Sequence, residues 1–491
     1  MADGQPKARK KENIVVKDFG GINTKADRTA IKNNEFAWLE NVMPLGHGNL
    51  KWVPGISAST VTFSGTVAYE QFVDILNIPY VIHVFSDGSS IARRIDTNAN
   101  VTVAAAAALT SSTQIAQWQN TQALFIDPTK GYGHWDGTTF AILNAALKGT
   151  SIAVFAGRAW FALGRTVYYS VPSDYTDFAG AGSGNIVLVD STLVSDIRQL
   201  LTANNFLYVF GDSSINVFSD VRVVGGVTVF TNTNISASVG TDLPFSICTY
   251  ARSLLIMNRY GVHALVGSTT SKISDELDGI FQLIDFTKPV IAGLVLVRNI
   301  QCAAFKFVYD DPDTGPRSLL AVFFEKKWFL VTANQITWMS SVIYRGESLL
   351  YATSGRDFVQ LLADDTISVA GKIQSALWSQ DNPITDKLGL KFGIEAKSDT
   401  ASFSITVDSP TKSSAATVKN VDLEWINDAG TVVSWTNNAG DTVLWAGIGY
   451  SLLKGSADMM GAKYIGLTIQ ATTTKTTIGA MMMQIEEGAD W

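Results

Sequence analysis

The side chains that most often bind metals or carry catalysis are few and widely spaced in this chain. The histidines are His47, His83, His134 and His263. None belongs to an HExxH motif or stands beside a cysteine or carboxylate at a zinc-binding spacing. Cys248 and Cys302 form no CxxC pair, so we expect both to be small buried hydrophobic residues. The sequence therefore predicts no metal site.

The usual nucleophile and phosphate motifs are also missing. The chain has no GxSxG elbow, no GxxxxGK loop followed by Ser or Thr, and no GxGxxG that opens a helix after a strand. Acyl transfer, phosphoryl transfer and dinucleotide binding normally depend on these motifs. We expect no enzyme activity, no catalytic residue and no cofactor.

The carboxylates leave two kinds of site open, a Ca²⁺ site and a pair of acids for glycoside cleavage. Asp310, Asp311 and Asp313 in DDPDTG could bind Ca²⁺ in a tight loop, although a solvated hairpin turn is the favoured interpretation. Glycoside cleavage needs only two carboxylates that meet in the fold, which no sequence can exclude. The segments SDGSS from Ser86 and WDGTTF from Trp135 match only part of the box that recurs in sialidase-like propellers. This counts against a sialidase.

The C-terminal region contains two unusual clusters of apolar residues. Trp425, Trp435 and Trp445 are evenly spaced, and Met481, Met482 and Met483 are consecutive. Flat tryptophan rings suit contacts with sugars, but core packing or an interface is the more ordinary role. Methionine packs adaptably against a neighbouring strand or subunit. We expect these six residues to contribute to an interface.

Length and composition narrow the class of protein. The chain has 491 residues, of which 46% are hydrophobic and 16% charged, so apolar surface for a large core is abundant. The formal net charge of −7 argues against a general nucleic-acid binder. No apolar stretch approaches the roughly 20 residues that cross a bilayer, and the basic start lacks the apolar stretch of a signal peptide. We expect synthesis in a cytoplasm and no membrane span.

The N-terminal part divides into two segments. Residues 1–13 form a basic, polar arm that we expect to be mobile. Residues 14–68 are predicted to be a strand, a helix and a strand that join the next domain. The helix is predicted in NNEFAWLENV, because Phe36, Leu39 and Val42 recur at helical spacing after an Asn cap.

Residues 69–371 are predicted to be an all-β body. Segments such as LTANNFLYVFGDSSINVFS from Leu201 alternate strands with small turns, and similar segments recur at roughly the interval of propeller blades. The central strands are apolar at consecutive positions, which indicates burial of both faces. We predict a β-propeller-like body of about six or seven blades.

The pattern of apolar and polar residues changes again in residues 372–491. In SFSITVD the residues Phe403, Ile405 and Val407 alternate with Ser and Thr, as in a strand with one exposed face. We predict a small C-terminal β-sandwich-like module here.

A resemblance to a known family appears near the N-terminus. The segment FGGINTKADRTAIKNNEFAWLENVMPLGHGNLKWVPG is similar to the start of many bacteriophage tail and connector proteins. The residues that carry the similarity are Gly20, Gly21, Ile22, Asn23, Glu35, Asn41, Val42, Pro54 and Gly55. Segments from Val167, Ile197 and Leu254 resemble blade segments of the same family, so the resemblance spans most of Phe19 to Leu283.

The chain most resembles the tail hub or nozzle proteins, also called tail accessory factors, of short-tailed, podovirus-like phages. The resemblance implies a structural protein of the virion tail that forms a six-fold ring and supplies no catalytic residues. Its implied partners are further copies of the chain, an adaptor or head-to-tail connector protein, and fibre or plug proteins. Genomic DNA would pass through the ring without specific binding.

Two other functions remain open. A propeller-type tail protein that binds or degrades host glycans would use a carboxylate pair or the tryptophan series. A host-cell propeller that docks peptides would form no ring and would not associate with a virion.

Overall fold

The protein is almost entirely β-structure. The computed structural model describes residues 11–45, 49–189, 191–193, 195–379, 384–397, 402–419, 425–426, 432–433 and 451–487. Within these ranges the helical elements are one short α-helix, α1 (Asp278–Phe281), and the 3₁₀ turn Asp275–Leu277 that precedes it. No helix in the described ranges is long and apolar enough to span a membrane.

The N-terminal segment supplies five strands, and the predicted N-terminal helix is wrong. The strands are β1 (Lys11–Val16), β2 (Phe36–Glu40), β3 (Val42–Leu45), β4 (Asn49–Trp52) and β5 (Val61–Thr62). Phe36 and Leu39 are both buried, as predicted, but on a strand whose pairing register shifts between Phe36 and Trp38. Such a bulge allows two residues at helical spacing to face one side of a strand.

Residues 67–144 form the first two units of a ring of antiparallel sheets. Blade 1 consists of β6 (Val67–Ile75), β7 (Ile78–Phe85), β8 (Ser90–Arg94) and β9 (Asn100–Ala104). Blade 2 consists of β10 (Gln114–Trp118), β11 (Gln122–Asp127), β12 (Gly131–Trp135) and β13 (Phe140–Asn144).

The next three blades repeat this four-stranded meander. Blade 3 consists of β14 (Ser151–Phe155), β15 (Arg158–Leu163), β16 (Thr166–Tyr169) and β17 (Gly184–Val187). Blade 4 consists of β18 (Gln199–Ala203), β19 (Phe206–Phe210), β20 (Ile215–Val224) and β21 (Val227–Ser236). Blade 5 consists of β22 (Ile247–Tyr250), β23 (Ser253–Asn258), β24 (Gly261–Val266) and β25 (Thr269–Lys272).

The last two blades differ in their outer strands. Blade 6 consists of β26 (Ile291–Val297), β27 (Ile300–Asp311), β28 (Gly315–Phe324) and β29 (Lys327–Thr332), and it continues into a nine-stranded sheet. Blade 7 consists of β30 (Ile336–Tyr344), β31 (Glu347–Ser354) and β32 (Asp357–Gln360), and the N-terminal strand β5 is its fourth strand. The ring is therefore closed by a strand from the other end of the chain.

The all-β fold and the propeller-like body predicted from the sequence are confirmed. Blades 1 to 5 and blade 7 are separate four-stranded sheets, and blade 6 is the first part of the nine-stranded sheet. Inner strands of neighbouring blades contact one another from blade 1 to blade 4 and from blade 5 to blade 7, and β30 of blade 7 contacts β6 of blade 1. Apolar clusters lie between neighbouring blades, as between blades 4 and 5, where Phe210 and Ile215 pack with Leu254 and Ile256.

Tight turns connect the first two strands of most blades. Asn204 and Asn205 both have positive φ, 49° and 63°, and so do Arg298 and Asn299, 48° and 65°. Two consecutive residues in this conformation form the two-residue hairpin turn that matches the twist of antiparallel strands. Asparagine tolerates the left-handed region better than most residues, which explains its recurrence at these turns.

The C-terminal strands form a second β-module together with N-terminal strands. They are β33 (Val369–Ser375), β34 (Lys387–Lys397), β35 (Ser402–Asp408), β36 (Ser413–Lys419), β37 (Trp425–Ile426), β38 (Val432–Val433), β39 (Ser451–Ala462), β40 (Gly466–Thr473) and β41 (Thr477–Glu487). One sheet has the order β3-β4-β41-β34-β39, with β1 also paired to β41. The other is the end of the nine-stranded sheet, β2-β33-β40-β35-β36.

Trp52 lies between the two sheets of this module. Its side chain is fully buried, its ring centroid is 6.4 Å from that of Phe403, and its Nε1 donates a hydrogen bond to the carbonyl of Ala471. β4 and β35 therefore pack across a shared apolar layer, as expected for the predicted sandwich-like module.

The observed units divide the chain differently from the predicted segments. Strands β1 to β4 belong to sheets of the C-terminal module, and β5 belongs to the propeller. Lys11 to Asn13, expected in the mobile arm, begin strand β1, while residues 1–10 lie outside the described ranges. The predicted boundary at residue 372 falls inside β33. The N-terminal segment therefore connects the two β-units.

Candidate functional site: the propeller axis and rim

The axial end of the propeller holds a cavity of about 590 Å³. Residues from all seven blades line it, at or just before the start of each inner strand. Examples are Tyr69 of blade 1, Gln114 of blade 2, Arg198 of blade 4 and Trp338 of blade 7. This placement identifies the cavity as the mouth of the propeller axis.

Three aromatic residues that line this mouth pack against one another. The ring centroids of Tyr69, Phe245 and Trp338 are 5.0 to 5.4 Å apart in every pairing. The Tyr69 hydroxyl lies 3.0 Å from Gln71 Oε1, to which it donates, and Trp338 Nε1 donates to the carbonyl of Glu70 over 3.2 Å. Burial raises the pKa of Tyr69, so its phenol stays neutral. We call this cluster the aromatic plug.

Phe245 holds a strained position in the plug. Its φ of 73° lies in the left-handed region, where a bulky side chain is rare. Its amide donates to Gln199 Oε1 over 3.1 Å, and its carbonyl accepts from the Ala292 amide at 2.8 Å. Neighbouring blades on both sides therefore hold the backbone in this conformation.

The loop before β10 is fixed at the mouth by the buried carboxylate of Asp127. Asp127 accepts hydrogen bonds of 2.6 to 2.8 Å from Thr110, Thr113, Thr129 and Lys130. Burial alone would raise the pKa of Asp127, but the hydrogen bonds from Thr113, Lys130, Thr110 and Thr129 outweigh it and hold the pKa below its usual value. The carboxylate therefore remains charged and rigidly bound.

Two of the charged side chains that line the mouth, Arg198 and Asp242, form ion pairs with residues outside its lining. Arg198 Nε lies 2.5 Å from Asp212 Oδ1, and Arg259 Nε lies 2.6 Å from Asp242 Oδ2. Asp196 and Lys288 also line the cavity. Positive and negative groups alternate, so the mouth has no strong preference for either sign of charge.

The rim of blade 4 carries a long hairpin. β20 and β21 have ten residues each, and β19 pairs only with the first part of β20, up to Phe218. The rest of the hairpin extends past β19 and turns at Gly225 and Gly226, both with positive φ. We call the part from Val221 to Phe230 the rim hairpin.

One face of the rim hairpin packs on blade 3. The Phe230 ring lies 5.7 Å from the Trp160 ring and 5.8 Å from the Tyr169 ring, and Thr228 Oγ1 donates to the carbonyl of Gly182 over 2.6 Å. The buried guanidinium of Arg158 donates to the same carbonyl and to that of Ser170. The base of the hairpin is therefore fixed in the seam between blades 3 and 4.

The tip of the rim hairpin is apolar and exposed. Val223, Val224, Val227 and Val229 are 45%, 56%, 63% and 37% exposed. Val224 pairs directly with Val227, so these side chains are neighbours on a projecting element. Exposed apolar groups that cluster in this way are typical of surfaces that bind another molecule.

The residues predicted as an interface from the sequence are placed differently. Trp425 begins the short strand β37, and Trp435 and Trp445 lie outside the described ranges. Met481 and Met483 are each 1% exposed and belong to the main apolar core, while Met482 is half-buried. Strand β41 pairs with β1 on one side and with β34 on the other, so it lies inside the sheet. The two buried methionines are core residues of the chain rather than surface anchors.

The other candidate residues are dispersed. His83 is fully buried in blade 1, His134 Nδ1 lies 3.0 Å from both Gln122 Oε1 and the Tyr175 hydroxyl, and His47 is outside the described ranges. Asp311 accepts hydrogen bonds from the Asp313 and Thr314 amides in the β27–β28 turn. Among the residues that the structure describes, no three His, Cys, Asp or Glu side chains are grouped to hold a metal ion.

Sequence reasoning missed both the aromatic plug and the rim hairpin. The sequence DVRVVGGVTVF does signal a glycine turn between two valine-rich strands. Its exposure could not be read from the sequence, because buried and exposed valines look alike.

No protein-family model matches the chain, and no curated protein matches it by sequence. Solved structures that it resembles include U3-55K, with 8% identity over 62% of this chain and 98% of that chain and a TM-score of 0.39. The WD40 repeats of RRP9 give 9% identity over 63% of this chain and 99% of that chain, with a TM-score of 0.41. The propeller assignment itself rests on the strand pairing described above.

Proposed function

We propose that this chain is a structural protein of a short-tailed phage virion and forms a ring at the tail hub or nozzle. The proposal starts from the similarity of Phe19 to Leu283 to that family. In this role six copies surround the path of the ejected DNA, and no catalytic residue is required. The ring lies below the portal and adaptor and attaches fibre or plug proteins.

The observation that carries the proposal is the exposed valine tip of the rim hairpin. Val224 and Val227 lie next to each other at the exposed end of this hairpin, whereas the apolar clusters between blades 3, 4 and 5 are buried. A monomer gains nothing from exposing this patch, whereas a subunit of an assembly buries it against a neighbour.

Two further features agree with this role. The rings of the aromatic plug occupy part of the axial cavity of the single propeller, so we expect a DNA path to run between copies rather than through one of them. The chain carries a formal net charge of −7, and a wall of this sign repels phosphates instead of gripping them.

Imaging and composition of the assembled particle test the proposal. The purified chain, or tails isolated from virions, should give a ring of six copies with a central hole in electron micrographs, and the chain should be detected in purified virions by mass spectrometry. A chain that is absent from virions, or that occurs there without ring symmetry, contradicts the proposal.

A second candidate is a tail protein that binds or degrades host glycans, and the axial mouth favours it. The mouth combines carboxylates, Asp196 and Asp242, with the partly buried rings of Phe245 and Phe286. Saccharide release by the pure protein, or a change in tryptophan fluorescence on adding host polysaccharide, would support this candidate. Loss of that signal in both Asp196→Asn and Asp242→Asn would locate the site at the mouth.

A further inference from the structure

An apolar surface pocket lies on the far side of the propeller from the rim hairpin. It has a volume of about 330 Å³ and sits where blades 6 and 7 meet the N-terminal segment. Aliphatic side chains dominate its wall, among them Val53, Ile56, Leu320, Val331, Leu362 and Ile367. We call it the seam pocket.

No charged residue lines the seam pocket. Its polar side chains include Asn41, whose amide group already donates to Thr332 Oγ1 at 2.9 Å and to the carbonyl of Ala370 at 2.7 Å. The Asn41 side-chain oxygen accepts from the Thr332 amide at 2.9 Å. The pocket therefore offers mainly apolar contact, and Ile367 on its wall is 40% exposed.

The rim hairpin and the seam pocket are complementary in chemistry and position. The tip residues Val223 to Val229 include no charged side chain, and its paired isopropyl groups match an uncharged aliphatic pocket. The hairpin lies at the seam of blades 3 and 4 and the pocket at the seam of blades 6 and 7, three blades away in a ring of seven. A chain cannot fill its own pocket with its own hairpin.

We propose that the rim hairpin of one copy inserts Val224 and Val227 into the seam pocket of a second copy. This contact joins two different surfaces, so each copy keeps one free hairpin and one free pocket until the assembly closes. Repetition of such a contact builds a ring when the rotation between successive copies closes, and an open filament when it does not. The inference rests on the proposed ring function and names the surfaces through which the copies meet.

The net negative charge of the chain predicts how salt affects its self-association. Two copies with net negative charge repel each other at long range, and salt screens this repulsion while apolar contact persists. Self-association should therefore strengthen as NaCl rises from low to moderate concentration. An interface built on ion pairs would weaken over the same range.

Substitution at either surface should weaken self-association of the full-length chain. We expect Val227→Asp in the hairpin and Ile367→Asp in the pocket each to raise the dissociation constant at least tenfold in sedimentation velocity, because each places a carboxylate in an apolar contact. Val266→Asp is the matched control, since Val266 is 63% exposed next to the blade 5 turn and lies outside both surfaces. Unchanged association in Val227→Asp overturns the contact, as does equal loss in Val266→Asp.

Disulfide trapping decides between this contact and a symmetric one. Val227→Cys and Ile367→Cys are prepared as separate proteins and mixed under mild oxidation. The native Cys248 and Cys302 are buried and burial raises the pKa of each thiol to about 12, so they should not react. A cross-linked dimer that forms only in the mixture supports the proposal. A dimer from Val227→Cys alone, or no dimer in the mixture, overturns it.

The outcomes separate this inference from the proposed function. Six-fold rings in virions without the mixed cross-link would leave the ring function standing and overturn the hairpin contact. A mixed cross-link from a chain that is absent from virions would support the contact and contradict the tail function.

Discussion

Glu70 and His83 face each other at the seam where the propeller closes, with Glu70 Oε1 3.5 Å from His83 Nδ1 and both side chains fully buried. Thr353 of blade 7 donates a hydrogen bond to Glu70 Oε1, which extends the contact from blade 1 to the last blade. The rings of Phe63 and Phe358 lie 4.5 and 4.8 Å from the His83 ring. Strand β5 therefore completes the ring around a buried polar pair.

Removing one member of this pair should cost more than removing both. His83→Phe keeps a ring between Phe63 and Phe358 but removes the imidazole beside the buried Glu70 side chain, which we expect to cost about 1–3 kcal/mol in the free energy of unfolding. The double variant Glu70→Leu with His83→Phe should recover most of this loss. Urea unfolding of the two variants measures the difference, and equal losses would contradict the coupling.

Asp127 should make stability dependent on acid pH. Its pKa is lower in the folded protein than in the unfolded chain, so its contribution is complete above the unfolded pKa near 4 and disappears as pH falls through the folded pKa. Asp127→Asn should cost about 2–4 kcal/mol at pH 7, because several buried donors lose a charged acceptor. The difference from the wild type should shrink near pH 3.

Asp136→Asn is the control for this measurement. Asp136 also accepts hydrogen bonds, from Thr138 and Thr139, but in a more exposed turn. We expect a loss below about 1 kcal/mol. A comparable loss in the two variants would show that the buried site has no special role.

The strained backbone at Phe245 predicts an unusual order of stability among variants at this position. Phe245→Ala should destabilise by about 3 kcal/mol through loss of ring packing in the plug. Glycine normally costs up to about 1 kcal/mol more than alanine, but at a φ of 73° it is unstrained. Phe245→Gly should therefore be at least as stable as Phe245→Ala in thermal unfolding. The usual order, with alanine clearly better, would argue against this conformation.

Phe36 tests the N-terminal strand that replaced the predicted helix. Phe36 is 1% exposed and its ring lies 5.9 Å from that of Phe19. Phe36→Ala should cost about 3–5 kcal/mol, and Phe36→Leu much less, since it leaves a smaller cavity. An unchanged melting temperature for the alanine variant would mean that β2 does not stabilise the fold.

Trp38, on the same strand, provides a contrast. Its indole is half-buried, donates to Glu40 Oε2 over 2.7 Å and carries the Arg317 guanidinium 5.5 Å from the ring centroid. Trp38→Phe should cost about 1 kcal/mol, because the ring contact with Arg317 persists and one hydrogen bond is lost.

The sequence by itself determined the fold class, because its information is local. Consecutive apolar residues in strands such as FLYVF require cover on both faces, and turn residues such as Asn204 and Asn205 set the hairpins that divide the chain into blades. Each of these two signals is carried by residues that are close together in the sequence. The same reasoning predicted the burial of Phe36 and Leu39 correctly and their secondary structure wrongly.

Only the tertiary structure decided the features that depend on residues far apart in the sequence. Strand β2 forms because β29 and β33, almost 300 residues or more away in sequence, supply hydrogen bonds on its two sides, and a bulge then places Phe36 and Leu39 on one face. Met483 is paired across the sheet with Ile14 of β1, from the opposite end of the chain, and the aromatic plug joins rings from three separate blades. Burial of this kind depends on which strands meet, and no local spacing of residues encodes that meeting.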